Sequence, residues 1–185
     1  EVTLAVAKSM GKNKSTVGRM GALFNVDIIC SDIGINSDEI IPGVRNLKIA
    51  GGTRNLAAEP AMTEDEVKKA LETGFSLAAE CKAAGYDIIG LGEMGIGNTT
   101  TSCAVVCSIL GKDASELAGR GAGLSDAGLS RKIEVINKAI NKYGLFHFSP
   151  LEVLRYVGGF DIAAMAGAMA GAACMGLSVV LDGAI

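Results

Sequence analysis

A single carboxylate, Glu93, sits inside the glycine-rich run Gly90-Leu-Gly-Glu-Met-Gly-Ile-Gly-Asn-Thr-Thr100. Gly90, Gly92, Gly95 and Gly97 let the backbone take positive φ and bring N–H groups close to a bound anion. The residues before the turn, 86–91, read as a short buried strand. Those after it, 99–110, read as an apolar helix. An anion at that helix start meets free N–H groups and the positive end of the helix dipole. The chemistry implied is phosphate binding with an acid built into the cradle.

Three other turns have this outline. Gly90, Gly92 and Gly95 match G-x-G-x-x-G after a strand, with Asp113 or Glu116 about 20 residues on, as in a dinucleotide-binding oxidoreductase domain. Against that, Glu93 occupies the place where a pyrophosphate must approach the backbone. A P-loop is excluded, since no Gly-Lys-Ser/Thr follows the glycines. The plain reading is a packing turn with an incidental acid. A non-catalytic module that binds a phosphate ligand also stays open.

The elements that must hold this turn alternate. Helices are expected over 2–10 and 15–24, a strand near 26–31, and an extended piece at 47–50 after a long loop. Thr63 with Glu66 forms a capping box, and similar signals stand at Asp113 with Glu116 and at Ser149 with Glu152, where Pro150 suits the first helical position. This order predicts one α/β domain over residues 1–185, with a mostly parallel, Rossmann-like sheet covered by helices on both faces. Ligands in such sheets collect beyond the carboxyl ends of strands, where Asp32, Glu93 and Asp182 lie. A second glycine-rich segment, Gly119-Arg-Gly-Ala-Gly123, precedes a helix carrying Arg131 and Lys132, and offers further backbone donors and a lysine point charge.

A net charge of −3 gives no electrostatic case for nucleic acid or anionic membrane, which leaves small molecules as partners. The five cysteines form no C-x-x-C pair and read as small buried hydrophobes in a reducing compartment. With His147 the only histidine, no metal site is expected. The uncharged run 162–181 has about the length of a membrane span, but Gly176 breaks it. Gly167 and Gly171 give it a small-residue face for close helix packing, so it reads as a buried helix and then a central strand. Met165, Met169 and Met175 read as core filling, Asp161 as a helix cap, Arg54 as a surface residue and His147 as structural. The chain opens without a signal-peptide pattern, and both ends read as cuts within a longer protein.

Gly92-Glu-Met-Gly-Ile-Gly-Asn-Thr-Thr100 resembles the signature of the nicotinate-nucleotide:dimethylbenzimidazole phosphoribosyltransferases. The resemblance continues in family order through Asp32-Ile-Gly34, Ile41-Pro-Gly-Val44, Pro60-Ala-Met62, Gly119-Arg-Gly-Ala-Gly-Leu124, Val157-Gly-Gly-Phe-Asp161 and Leu181-Asp-Gly183. It implies that phosphoribosyl passes from nicotinate mononucleotide to 5,6-dimethylbenzimidazole, giving α-ribazole 5′-phosphate and nicotinate in cobalamin synthesis. On this resemblance Gly95, Ile96, Gly97, Asn98, Thr99, Thr100 and Gly121 contact the nucleotide and Lys132 neutralises its phosphate. Glu93 then stabilises the positive charge that develops at C1′. It further implies a cytoplasmic homodimer without cofactor or metal. The family's general base is a glutamate near the end of a chain about twice as long, and part of the base pocket precedes the position of Glu1. The 185-residue chain alone is therefore expected to be inactive or severely impaired. Thr101 departs from the proline usual in the family.

Overall fold

In the computed structural model, which describes residues 2–182 and 185, the chain forms two compact units, residues 1–52 and 53–185. Glu1, and Gly183 of the Leu181-Asp-Gly183 motif, lie outside the described residues.

The first unit holds helices α1 (Val2–Gly11) and α2 (Thr16–Phe24) and strands β1 (Ser31–Asp32) and β2 (Arg45–Asn46). Ser15 starts α2 by accepting the Gly18 N–H at 3.2 Å, and Asn25 ends it in the left-handed region at φ 54°. β1 and β2 pair in parallel, Ser31 opposite Arg45 and Asp32 opposite Asn46. The expected strand over 26–31 is thus reduced to its end, and the pairing falls before the expected 47–50. The reason is that regular pairing stops after Asn46 while isolated bonds continue it, from Leu47 N–H to Asp32 O and from Ile49 N–H to Ile33 O, both at 2.9 Å.

The second unit runs α3 (Glu64–Ala83), β3 (Ile88–Gly90), α4 (Asn98–Leu110), α5 (Ala114–Leu117), α6 (Asp126–Tyr143), one 3-10 turn (Leu145–His147), α7 (Pro150–Val157), α8 (Phe160–Met175) and β4 (Ser178–Val180). Both bonds of the capping box are present at Thr63/Glu66 and at Ser149/Glu152. Asp113 caps α5 through the Ser115 N–H at 2.8 Å, but Glu116 turns instead to Lys112 at 3.0 Å, so no box forms there. One core joins α4, α5, α6, the 3-10 turn and α7 through Cys103, Ala104, Cys107, Ala114, Ile136, Ile140, Leu145, Val153 and Val157.

Helices α3 and α8 approach so closely that a Cβ on Gly74 would stand 1.7 Å from Ala164 O, and one on Gly167 2.0 Å from Leu71 O. The small-residue face expected at Gly167 and Gly171 is therefore a helix-packing face. Gly176, at φ 64°, ends α8. Among the described residues no helix is long and apolar enough to cross a membrane. Met169 is 38% exposed, so it does not fill the core as expected.

The chain is a mixed α/β protein, but β1–β2 and β3–β4 do not join into one sheet among the described residues. β3 and β4 pair in parallel with Ile89 opposite Val179. That face meets Ala78, Cys81, Ala172 and Leu177, while Ile88 at 62% and Val180 at 53% exposure point away. The strands expected to be fully buried are covered on one face only, because α3 and α8 both pack on the same side.

Candidate functional site

β3 ends at Gly90 and delivers the chain into the turn that carries Glu93. Gly95 and Gly97 both hold φ of 88°, a conformation that L side chains rarely adopt. Gly97 is the N-cap of α4 and provides no side-chain oxygen, so the first turn of α4 is left without a side-chain cap.

Asn98 begins α4 and is 6% exposed. Its Nδ2 donates to Glu93 Oε2 and, at 3.1 Å, to Asp161 Oδ2 in the first turn of α8. The orientation of the amide follows from these partners, since two carboxylates only accept. Its Oδ1 is buried and has no hydrogen-bond partner among the described residues. Thr101 Oγ1 and Ser102 Oγ each donate to Asn98 O at 2.8 Å. Thr101 thus secures by a hydrogen bond the same turn whose φ a proline would fix.

The second glycine-rich segment meets the same helix start. Gly121 has φ 54°, and a Cβ there would lie 3.0 Å from Thr99 Oγ1. Lys132 on α6 is 7% exposed, and its Nζ donates to Thr99 Oγ1 at 2.9 Å and to Gly119 O at 3.0 Å. Both partners are neutral. Arg120, in the same segment, is spent on Leu124 O and the Asp126 carboxylate.

The turn at 93–100, the turn at 119–123 and Lys132 therefore meet at the start of α4, where charge pattern alone reads Lys132 as a solvated helix lysine. Asp161 joins them as well. It is not the helix cap expected, because Gly159 is the N-cap of α8 and Asp161 lies in the following turn. The signal available was the Gly158-Gly159 pair ahead of an acid: a Cβ on Gly159 would sit 2.6 Å from Asp161 Oδ1.

Asp32 belongs to the first unit, where its carboxylate accepts the Ile35 N–H at 2.8 Å and pairs with Lys48 at 3.3 Å. Asp182, after β4, and His147 are exposed. Arg54 forms a two-point pair with Glu66, at 2.6 and 3.2 Å, and this holds the Glu66 carboxyl below its ordinary range. Two clefts, one lined by Asn13, Gly18 and Asp27 and the other by Lys68, Leu151 and Arg155, include none of Glu93, Asn98 and Lys132.

The cysteines divide by burial. Cys81, Cys103 and Cys107 are buried as expected, but Cys30 is half-buried and Cys174 exposed, and all five are free. Burial, and then the Cys103 sulfur 3.8 Å away, push the Cys107 thiol up to about 12. Among the described residues no group of three or more His, Cys, Asp or Glu side chains is placed to hold a metal ion.

A family described as phosphoribosyltransferase matches residues 1–185. A nicotinate-nucleotide–dimethylbenzimidazole phosphoribosyltransferase of Clostridium perfringens is 41% identical over 184 residues, which is 100% of this chain and 51% of that protein. One of the same name from Ruminiclostridium cellulolyticum is 44% identical over 184 residues, covering 52% of its length. The crystal structure of CobT from Thermus thermophilus superposes with a TM-score of 0.91 at 32% identity, covering 98% of this chain and 55% of that one. The chain spans about half the length of the curated relatives it matches.

Proposed function

The chain belongs to the nicotinate-nucleotide–dimethylbenzimidazole phosphoribosyltransferase family, and from this premise we propose that it carries the nucleotide-binding half of the reaction. It holds nicotinate mononucleotide while the phosphoribosyl group passes to 5,6-dimethylbenzimidazole, yielding nicotinate and α-ribazole 5′-phosphate for cobalamin synthesis. The observation that carries this reading is the buried ammonium of Lys132, held at the start of α4 by a hydroxyl and a carbonyl, with no carboxylate partner among the described residues. A buried charge is costly unless an anion meets it. The positive-φ turns at Gly95 and Gly97 lead into the uncapped start of α4 and the Gly121 turn meets Thr99 there, where free N–H groups and the helix dipole favour an anion.

Loss of nicotinate leaves oxocarbenium-like charge at C1′, and the Glu93 carboxylate stabilises that charge more than it stabilises the bound substrate. The incoming heterocycle bonds to C1′ through one ring nitrogen as the bond to nicotinate breaks, and a general base takes the proton from its other nitrogen. We assign that base to no residue of this chain, so the 185 residues alone are expected to bind the mononucleotide and to transfer slowly or not at all. The Asn98 side chain, with Nδ2 committed to carboxylates, has only an acceptor to offer and suits a ribose hydroxyl rather than the phosphate. The free cysteines support a reducing, cytoplasmic setting, and the same family reading carries a homodimer.

Calorimetric titration with nicotinate mononucleotide, with NAD as comparison ligand, tests the proposal. Mononucleotide binding that Lys132→Ala weakens about tenfold or more is expected, since charge-assisted hydrogen bonds are worth about 1.5–3 kcal/mol. Preference for NAD, or mononucleotide binding indifferent to that substitution, would overturn it.

A further inference from the structure

Glu93 stands in a turn of glycines, the backbone least able to fix a side chain by itself. A carboxylate that stabilises a transition state must nevertheless be held within a fraction of an ångström. What restrains it is a chain of contacts that ends 68 positions later in the sequence, by difference between residues 93 and 161. Glu93 Oε2 accepts from Asn98 Nδ2, the same nitrogen donates to Asp161 Oδ2 at 3.1 Å, and Asp161 Oδ1 accepts the Ile162 N–H at 2.9 Å. Each member has a fixed base: Asn98 is buried at the start of α4, and Asp161 is locked to the first turn of α8, where the helix dipole favours its charge. One amide nitrogen has two hydrogens, and here each has its own carboxylate. Without Asp161 the second hydrogen is buried unsatisfied and Asn98 is free to rotate away from Glu93.

We propose that Asp161 is a positioning residue for the transfer, holding Glu93 in place through the carboxamide of Asn98. This rests on the reading of Glu93 given above. It makes the acid turn depend on α8, through Asp161.

The test compares four forms of the intact enzyme: parent, Asp161→Ala, Glu93→Gln and the double variant. Asp161→Ala is expected to lower kcat about tenfold with KM for nicotinate mononucleotide within about threefold, and to cost less than about twofold once Glu93 is already Gln, because residues acting as one unit are non-additive. Losses that multiply, or a loss confined to KM, would overturn the proposal. Gly159→Ala provides a second handle that leaves every charge in place: its Cβ would stand 2.6 Å from Asp161 Oδ1, and it is expected to reproduce the kcat loss. An unchanged kcat in that variant counts against the proposal.

A further readout needs no turnover. The side-chain amide protons of Asn98, followed by 1H–15N NMR, are expected to exchange slowly in the parent and at least about tenfold faster in Asp161→Ala. Equal protection would overturn the proposal. A parent without transfer activity whose Asn98 protection still depends on Asp161 would instead defeat the functional assignment and leave the clamp intact.

Discussion

The ammonium of Lys132 lies 2.9 Å from the hydroxyl of Thr99, and this contact ties α6 to the first turn of α4. The ammonium donates and the Thr99 oxygen accepts, so among the described residues the lysine is fixed by neutral partners and meets no carboxylate. Replacing a buried charge by an apolar group of similar length commonly costs no stability or adds some. Lys132→Met is therefore expected to keep or raise the thermal midpoint while weakening nicotinate mononucleotide about tenfold or more. Differential scanning fluorimetry and calorimetry on the same samples would separate the two effects. A fall in the midpoint with unchanged affinity would make Lys132 a structural lysine.

Gly121 faces that same hydroxyl. An added Cβ would stand 3.0 Å from Thr99 Oγ1 while the backbone keeps φ at 54°. Gly121→Ala is expected to cost about 1–2 kcal/mol, the usual penalty of an L residue held in the left-handed region, and to weaken mononucleotide binding as Thr99 is displaced. Urea denaturation and titration of the variant would check both, and binding equal to the parent would show that the Gly119–Gly123 turn stands clear of the ligand.

The glycine spacing and the single acid marked the Glu93 turn, and the proposed contacts on α4 and at Lys132 followed from family order. Asp161 escaped because its role depends on α8 meeting α4, a contact between distant parts of the chain with no local period. Thr63/Glu66 and Ser149/Glu152 were legible because a capping box is written within four residues. At Asp113 the same letters failed, since Lys112 competes for Glu116. The sheet was the least legible part. Val, Ile and Leu at 88–91 and 177–181 carry the composition of buried strands, yet composition does not say whether one face or two will be covered, and here Ile88 and Val180 are exposed.

Between α3 and α8, the glycines mark where two backbones touch. A Cβ on Gly74 would lie 1.7 Å from Ala164 O, a backbone atom that cannot step aside without moving the helix. Gly85, in the turn after α3, has φ 90° and nothing within 4 Å of an added Cβ. Gly74→Ala is expected to cost more than about 3 kcal/mol by forcing the helices apart. Gly85→Ala should cost only about 1–2 kcal/mol, from its backbone conformation. Chemical denaturation ranks them, and a reversed order would mean the helix interface is looser than the geometry requires.

Glu66 couples the loop at Arg54 to the start of α3. The hydrogen bond from Arg54 and then the Thr63 contacts outweigh burial and hold its carboxyl below the ordinary 4.5 of a glutamate. A carboxyl whose folded value is depressed contributes stability that is present above the unfolded value and lost as pH falls through the folded one. The thermal midpoint is therefore expected to drop between about pH 5 and 3, and Glu66→Gln should flatten part of that drop while lowering the midpoint at pH 7. An identical pH profile in the variant would show that the Arg54–Glu66 pair adds nothing measurable.

Cys107 and Cys174 give opposite forecasts from the same kind of side chain. Cys107 is fully buried on α4, and its thiol is pushed up to about 12, first by burial and then by the neighbouring Cys103. At pH 8 a thiol so shifted stays almost wholly protonated, and the thiolate is the nucleophile. Cys174 is exposed on the last turn of α8. Iodoacetamide at pH 8 is thus expected to modify Cys174 in the folded protein and to leave Cys107 untouched until denaturant is added, as read by peptide mass spectrometry. Labelling of Cys107 under native conditions at a rate near that of Cys174 would mean that α4 opens readily, and with it the helix start on which the proposed phosphate site depends.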